Sequence, residues 1–383
     1  MNLCEPNSCL GCCACFNACA HHAIEMRPNR FGALLPVINP DACVGCGRCQ
    51  QVCPVINVSH KPNKANKCYA AWTTDNTLLE NAASAGVVTA LGHHIIQNGG
   101  AVFGTLFKNK QLIFACATTV DELLKFQGSR YVQAYVGNTF QLVEQRLRDG
   151  QKVMFTGTPC QVHGLRQYLG KEYDNLLAVD LVCHGVSSNI MLNEYLAEHG
   201  IDNYDNLVFR GHSGMSIVVT RQDSVVYKKY KILDLFYTTY LRGLISRENC
   251  YTCPYASLER YGDITVGDFW GLEKTPDLPN IPFISLVLAN TVRGERCLDE
   301  CADSIGRVER PVEMATRKNR QLSHPCNRHQ DRDTFLSHYP QLGLIKSIKK
   351  TRFYWNDYLR KSIHHRILLT ASKLKHSIYG KKF

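Results

Sequence analysis

The sequence predicts an α+β unit first, then an α/β unit with a mixed, largely parallel sheet, and last a basic helical tail. Three observations predict that order. A cysteine spacing occurs twice within the first 53 residues, strands and helices alternate over residues 68–340, and a charge imbalance is confined to the end of the chain. The 383 residues are 45% hydrophobic and 20% charged, which suffices for a large core and more than one domain.

The cysteine repeat is explicit. Cys9, Cys12, Cys15 and Cys19 recur 34 residues on as Cys43, Cys46, Cys49 and Cys53, each set reading C-x2-C-x2-C-x3-C, and the second closes with Pro54. A zinc ribbon uses two separated C-x2-C pairs. Three cysteines at successive x2 spacing instead wrap one face of a [4Fe–4S] cubane, and the fourth reaches across to a second cluster. Cys9, Cys12, Cys15 and Cys53 are therefore predicted to hold one cluster, and Cys43, Cys46, Cys49 and Cys19 the other. Residues 1–57 are predicted to form this ferredoxin-like, two-cluster domain. Gly11, Ala14, Gly45 and Gly47 keep the loops small, so that backbone amides can point at the sulfurs. Ala20 stands where a second proline is usual, and Cys13 is left over for core packing. Such a module passes single electrons and has no substrate chemistry of its own, so the rest of the chain must supply or consume them.

Nineteen cysteines accompany an N-terminus with no basic or apolar leader, and no apolar run reaches the ~18 residues that span a bilayer. The expectation is a reducing cytoplasm, where cysteines serve as metal ligands, catalytic thiols or core residues. From Lys346 onward eleven Lys or Arg face the single acid Asp357, while the remainder holds 33 basic and 32 acidic residues. A neutral body of this kind does not suit nucleic acid, which is not an expected partner.

Residues 58–67, polar and containing a proline, read as a linker. In the domain over 68–340, SAGVVTALGHHIIQNGG predicts a helix capped by Ser84 and stopped at Gly99 and Gly100. AVFGTLF, KVMFT and LLAVDLV predict strands, and TFQLVEQRLRDG and QVHGLRQYL predict helices between them. SIVVTRQDSVVYKKY predicts a hairpin, and DITVGDF and FISLVLA further strands. This alternation implies a substantially parallel sheet. Cys297 and Cys301 lie four apart on a predicted helix, without a neighbouring pair, and read as packing.

Gly157, Thr158 and Pro159 turn the chain after KVMFT and place Cys160 at a helix start. Cys183 follows LLAVDLV. Loops after parallel strands gather at the carboxyl edge of a sheet, where ligands usually bind. Two thiols from separate strands can therefore meet, and the C-x2-C pair Cys250 and Cys253 would bring their number to four, as a [4Fe–4S] cluster needs. Zinc binding, a nucleophilic Cys160, or unrelated core cysteines are the competing readings of the same residues.

NAASAGVVTAL, QGSRYVQA, FTGTPCQVHGL with VDLVCHGVSS, and SRENCYTCPYASLERYGDITVGDFWG together resemble the beta-subunit family of coenzyme F420 hydrogenase and dehydrogenase, from about Cys68 to about Pro325. The resemblance implies an FAD-containing iron–sulfur oxidoreductase and supports a third cluster on Cys160, Cys183, Cys250 and Cys253. A flavin converts between single electrons and hydride, which the chemistry requires in any case. The chain has no G-x-G-x-x-G, so FAD would not be held in a Rossmann site. The resemblance points instead to Ser84, Gly86, Gly128, Ser129, Arg130 and Tyr131, with Ser84 opening a helix toward the pyrophosphate and Arg130 pairing with it. Where the family shows Gly-Gly, this chain has Ala85–Gly86, whose extra methyl would crowd a phosphate. An ordinary capped helix and a structural loop are the plain readings of these two segments.

His184 is the candidate proton donor, since an imidazole titrates near neutrality, or else a loop histidine bonded to backbone. Asp268 reads as a base or as a turn cap with Trp270 packed beneath it. The function expected from all this is a cytoplasmic oxidoreductase in which a redox partner protein or ferredoxin exchanges electrons with the front domain. An FAD would then exchange hydride with a small organic substrate, either a deazaflavin coenzyme or a metabolite of a sugar or polysaccharide pathway. The alternative is a non-enzymatic electron-transfer subunit serving a partner dehydrogenase. In the tail, 341–383, Leu344, Ile348, Trp355, Leu359, Ile363 and Ile367 recur at helical spacing, interrupted by Arg352. Peripheral contact with an anionic membrane and docking on the protein body are the two readings of that stripe.

Overall fold

The structure is a computed structural model that describes residues 3–211, 214–365 and 367. Its centre is an eight-stranded sheet. In spatial order the strands are Ile305–Arg310, Lys67–Thr73, Ser285–Ala289, Ile264–Asp268, Leu176–Leu181, Val153–Gly157, Ala101–Lys108 and Gln111–Ala117. The four strands from Ile264–Asp268 to Ala101–Lys108 run parallel, and every pairing outside them is antiparallel. The sheet is thus parallel in its middle only, which narrows the expectation of a largely parallel one. One outer pair, Ala101–Lys108 with Gln111–Ala117, forms because Lys108 and Gln111 are joined by a tight turn whose two residues, Asn109 and Lys110, accept positive φ.

The middle strands are apolar on both faces because both faces are covered. Val153 and Phe155 enter the core on one side and Met154 the other, and Leu176 and Ala178 alternate with Leu177 and Val179 in the same way. Helix Pro159–Leu169 follows directly from Val153–Gly157. Pro159 occupies its first position, Thr158 and Gln161 form a capping box, and Gly170 ends it in the left-handed region. Helix Thr139–Arg148 and the hairpin Ser216–Arg221/Ser224–Tyr230 fall where the sequence placed them. Helix Val87–Gln97 differs at its start. Its cap is Gly86 at φ 75°, not Ser84, and a side chain at Gly86 would meet Thr73 Cγ2 at 2.6 Å.

The front unit contains a short helix Ala14–Ala18, a hairpin Ile24–Pro28/Leu34–Ile38 and a turn of helix Arg48–Gln51. It does not hang on a tether. Leu10, Cys12, Cys13, Ala14 and Val52 belong to the same hydrophobic core as Phe140, Phe155 and Leu165. The segment read as a linker is likewise docked: Ser59 Oγ donates to Gln167 Oε1 at 2.5 Å, and Asn63–Lys64 pairs with Glu259–Arg260.

Helix Leu344–Lys349 buries Leu344 and Ile348 completely, and Phe353 N donates to Asp331 Oδ2 at 2.6 Å. Trp355, Ile363 and Ile367 are exposed further on. The apolar stripe of the tail is therefore split between a docked start and an exposed continuation, and residues 368–383 of the predicted tail lie outside the described residues.

One ion pair pins the carboxyl edge. Asp180, at the end of Leu176–Leu181, receives Arg260 Nη2 at 2.7 Å, Thr265 Oγ1 at 2.7 Å and Gly262 N at 2.9 Å. Arg260 Nη1 donates to Tyr255 O at 2.8 Å, and Nη2 also donates to Leu181 O at 3.0 Å. Both side chains are buried, so removing one strands the other. Arg260→Met is expected to cost about 3–5 kcal/mol in urea unfolding. A loss below ~1 kcal/mol would show that the pair does not organise this edge.

Candidate iron–sulfur and cavity site

Contacts across the two repeats bear on the crossed pattern expected from the spacing. Cys53 lies within electrostatic reach of Cys9 and Cys15, and Cys49 within reach of Cys19 and Cys43. Backbone amides face the sulfurs: Gly11 toward Cys9, Ala14 toward Cys12, Val55 and Ile56 toward Cys53, and Ala23 N to Cys19 Sγ at 3.3 Å. Gly11, Gly45 and Gly47 take positive φ to make these loops. The two sets differ in depth. Cys9, Cys12, Cys15 and Cys53 are buried, whereas Cys43 and Cys46 are exposed, as is Val44 between them at 62%. Cys13 is a buried packing residue whose left-handed backbone caps helix Ala14–Ala18. Cys4 is a participant that the spacing did not flag. It donates to both Cys9 and Cys53, drawing their thiols down to about 7 and about 6.

Cys160, Cys183, Cys250 and Cys253 also come together, on the wall of one cavity of about 340 Å³ at the carboxyl edge of the parallel strands. Burial pushes all four thiols up, Cys250 to about 11 and Cys253 to about 12, and their mutual repulsion adds to this. Buried thiolates in such a group need a positive centre and N–H donors. The donors are present: the amides of Gln161, Gly185, Val186 and Tyr255 face Cys160, Cys183, Cys250 and Cys253 in turn. Thr158 Oγ1 lies 3.1 Å from Cys160 Sγ. Among the described residues no three ligand-type side chains close on a single metal ion. In a cubane each thiolate binds a different iron, so its ligands stand apart around the cluster. The four residues fit such a cluster by donor set and surroundings. Cys326 lines the same cavity and donates to Cys250 O at 3.4 Å, a fifth thiol that lies outside the quoted motifs.

Two contacts join the front cysteines to these four. On helix Pro159–Leu169, which begins with Cys160, a side chain at Gly164 would come within 2.9 Å of Cys12 Sγ. Cys12 therefore packs one turn, about 6 Å of helix axis, from the position of Cys160. Arg247, 6% exposed, donates from Nη2 to Cys9 O at 2.8 Å and from Nη1 to Gln133 Oε1 at 2.5 Å, and its Nε donates to Asn249 Oδ1 at 3.0 Å. Its charge favours the thiolates of Cys9, Cys160 and Cys250 alike.

The residues proposed for a flavin border the same cavity: Ser84, Gly86, Gly128, Ser129, Arg130 and Tyr131. Ser84 Oγ is buried without a hydrogen-bond partner among the described residues. Ala85 is fully buried, donates its amide to Ser285 Oγ at 3.1 Å and is not part of the cavity wall, so its methyl does not crowd the cavity. Gly128 lets the chain pass against Val208, and Ser129 N donates to Arg210 O at 2.9 Å. Arg130 departs from the expectation. Its guanidinium donates through Nη1 and Nη2 to the carbonyls of Lys125, Phe126 and Gly128, and only Nε is without a partner among the described residues, so it offers no free two-bond edge to a pyrophosphate. Tyr131 stacks on Phe209 and Tyr240.

His184 is on the wall, but burial and the nearby Arg210 draw its pKa down to about 4, so the ring is neutral at pH 7 rather than titrating there. Asp268 pairs with Arg210, and Trp270 lies over the same guanidinium. Cys297 and Cys301 are free thiols, hydrogen-bonded to each other within the core as packing residues.

A chain with paired cubane motifs at one end and a thiol-lined cavity at the other is an iron–sulfur electron-transfer protein. Comparison with known families agrees. A 4Fe-4S dicluster domain matches residues 8–57 and a second such model matches 35–87. Coenzyme F420 hydrogenase/dehydrogenase, beta subunit N-term matches 68–139, and the corresponding C terminus matches 150–312. The chain belongs to the coenzyme F420 hydrogenase/dehydrogenase beta-subunit family, preceded by a 4Fe-4S dicluster domain. Among solved structures, a chain of the F420-reducing [NiFe] hydrogenase complex from Methanosarcina barkeri, studied as a xenon derivative, is 18% identical at a TM-score of 0.46, covering 72% of this chain and 93% of that one. None of the curated proteins compared with the chain matches it.

Arg247→Gln is expected to lower the midpoint potentials of the iron–sulfur centres, because it removes a positive charge that stabilises added electrons. A lost attraction of about 1.4 kcal/mol corresponds to about 60 mV for a one-electron centre. EPR-monitored redox titration reads this, with Arg247→Lys expected to restore part of the shift. Unchanged potentials would mean that Arg247 only ties the segments together.

Proposed function

We propose that the protein is a flavin-dependent iron–sulfur oxidoreductase that carries a third [4Fe–4S] cluster on Cys160, Cys183, Cys250 and Cys253. One observation carries the reading: these thiols and the flavin candidates Ser84, Gly86 and Gly128–Tyr131 border a single cavity, whose wall also includes Leu10 and Gly11 of the front unit. An FAD held there would supply the exchange between single electrons and hydride.

The chain's own residues set the order of the relay. The exposed edge at Cys43 and Cys46, with apolar Val44 between them, is where a redox partner protein docks. The buried set on Cys9, Cys12, Cys15 and Cys53 lies inward of it, against Gly164, and Cys160 begins the same helix. Arg247 spans that junction and holds positive charge there. At the cavity, the helix beginning at Val87 would offer its free amides to the phosphates of a flavin, with Ser84 Oγ as a further donor. His184, neutral and beside Cys183, would serve an organic substrate there as a hydrogen-bond donor. The substrate is a deazaflavin or another reducible metabolite. Beyond the docked part of the tail, Trp355, Ile363 and Ile367 face outward and offer a peripheral membrane contact.

The engagement of Arg130 with backbone carbonyls favours a second reading, a carrier subunit without flavin that serves a partner dehydrogenase. The visible spectrum of anaerobically purified protein separates the two, since only the oxidoreductase shows a flavin peak above the iron–sulfur shoulder. Full loading is expected at about twelve irons per chain. Cys160→Ser is expected to lower this toward about eight while the N-terminal clusters keep their EPR signals. Undiminished iron in that variant would remove the third cluster from the account.

Cys19→Ala and Cys53→Ala are each expected to damage the cluster of the opposite triplet, leaving it one ligand short. Iron loss confined to the mutated repeat's own triplet would disprove the crossing. Deleting residues 361–383 spares the buried Leu344 and Ile348 and is expected to abolish a salt-sensitive binding to anionic liposomes. Equal binding by both chains would assign the exposed stripe another role.

A further inference from the structure

Arg210 is not among the residues of the family resemblance, yet it is a buried cation on the cavity wall. Its side chain is 3% exposed, and Nη1 forms an ion pair with Asp268. The guanidinium carbon stands 4.0 Å from the centre of the Phe283 ring and 5.4 Å from that of Trp270, which fix its plane. The other edge is unused: neither Nε nor Nη2 has a hydrogen-bond partner among the described residues. Those two N–H groups are the parallel pair with which arginine grips a carboxylate or phosphate through two bonds. Burial also pulls the guanidinium's pKa down, as expected where a cation is desolvated beyond what one carboxylate offsets.

Asn319 adds a second group of the same kind. It is buried at 1% exposure, lines the same cavity, and neither amide atom has a partner among the described residues. The side chain of the preceding Lys318 packs on Gly271, three residues beyond Asp268. A buried amide and a buried guanidinium edge without partners, on one cavity wall, are costly unless a ligand completes them.

We infer that the Nε–Nη2 edge of Arg210, with the amide of Asn319, forms a subsite for an oxyanion, a carboxylate or phosphate, borne by the organic substrate. This rests on the proposal that the cavity is the substrate chamber, and it narrows the substrate to an acid. An oxyanion in this cavity could also belong to the pyrophosphate of FAD. The two sources differ in one readout, since only loss of a pyrophosphate contact would lower the FAD content of a variant.

The test uses the full chain, loaded anaerobically with iron, sulfide and FAD, and titrates inorganic phosphate and succinate by calorimetry. Wild type is expected to bind at least one of them saturably. Arg210→Lys keeps the charge but loses the two-bond edge and is expected to weaken that binding by about tenfold or more. Asn319→Ala breaks no side-chain hydrogen bond of the described chain, so it tests the subsite even where the arginine variant misfolds, and is expected to weaken binding roughly three- to tenfold. In both variants the FAD content should equal that of wild type. Loss of FAD from the variants would assign the edge to the flavin's pyrophosphate and overturn the proposal. Failure of wild type to bind either anion, or equal binding by the variants, would overturn it as well. A wild-type chain that takes up no FAD but binds phosphate or succinate through Arg210 would refute the flavin reading and leave the subsite standing.

Discussion

The Arg260–Asp180 pair is the constraint on which the carboxyl edge depends. Asp180 ends the strand that leads into Cys183. Arg260 closes the loop that carries Cys253 and Tyr255, and it reaches Leu181 O and Tyr255 O with the same guanidinium. Two segments eighty residues apart are thereby held in one register before any cofactor is considered. A buried ion pair adds little net stability over a well-packed apolar pair of the same shape. Its contribution here is geometry, because a hydrophobic pair would leave Gly262 N and Thr265 Oγ1 without their acceptor.

From that edge the arrangement runs outward to solvent. The four cavity thiols have backbone donors, two of them, Cys160 and Cys250, share the charge of Arg247, the inner N-terminal set is buried against the helix that carries Cys160, and the outer set meets solvent. Arg247 is effective because it is buried. In a medium of low polarity one charge acts on several sulfurs at once, with little screening. Gly164 matters for a complementary reason: it is the missing side chain that lets Cys12 approach the helix.

Much of this was legible in the sequence, and for identifiable reasons. Strands such as Val153–Gly157 read clearly because burial on both faces leaves an unbroken apolar run. Cys160 and Cys183 could be placed together because strand ends of a parallel sheet converge. The errors share a cause as well. Ser84 looks like a cap, but the helix starts after Gly86, where the backbone needs a positive φ and Thr73 leaves no space for a side chain. Arg130 looks like a phosphate ligand, but three carbonyls take its donors. The antiparallel margins of the sheet follow from pairings between distant segments, such as Lys67–Thr73 with Ile305–Arg310, which local periodicity does not encode. Arg210, Arg247, Cys4 and Cys326 carry no spacing signal at all, since each becomes notable only through what tertiary structure sets beside it.

Leu10 and Gly11 give the cavity part of its wall. A shuttle must let go of one partner to visit the next, and its reach sets its pace. This front unit is fixed masonry instead: removing it would unroof the chamber as well as cut the wire. A free-standing ferredoxin in its place would not hold Leu10 and Gly11 in that wall.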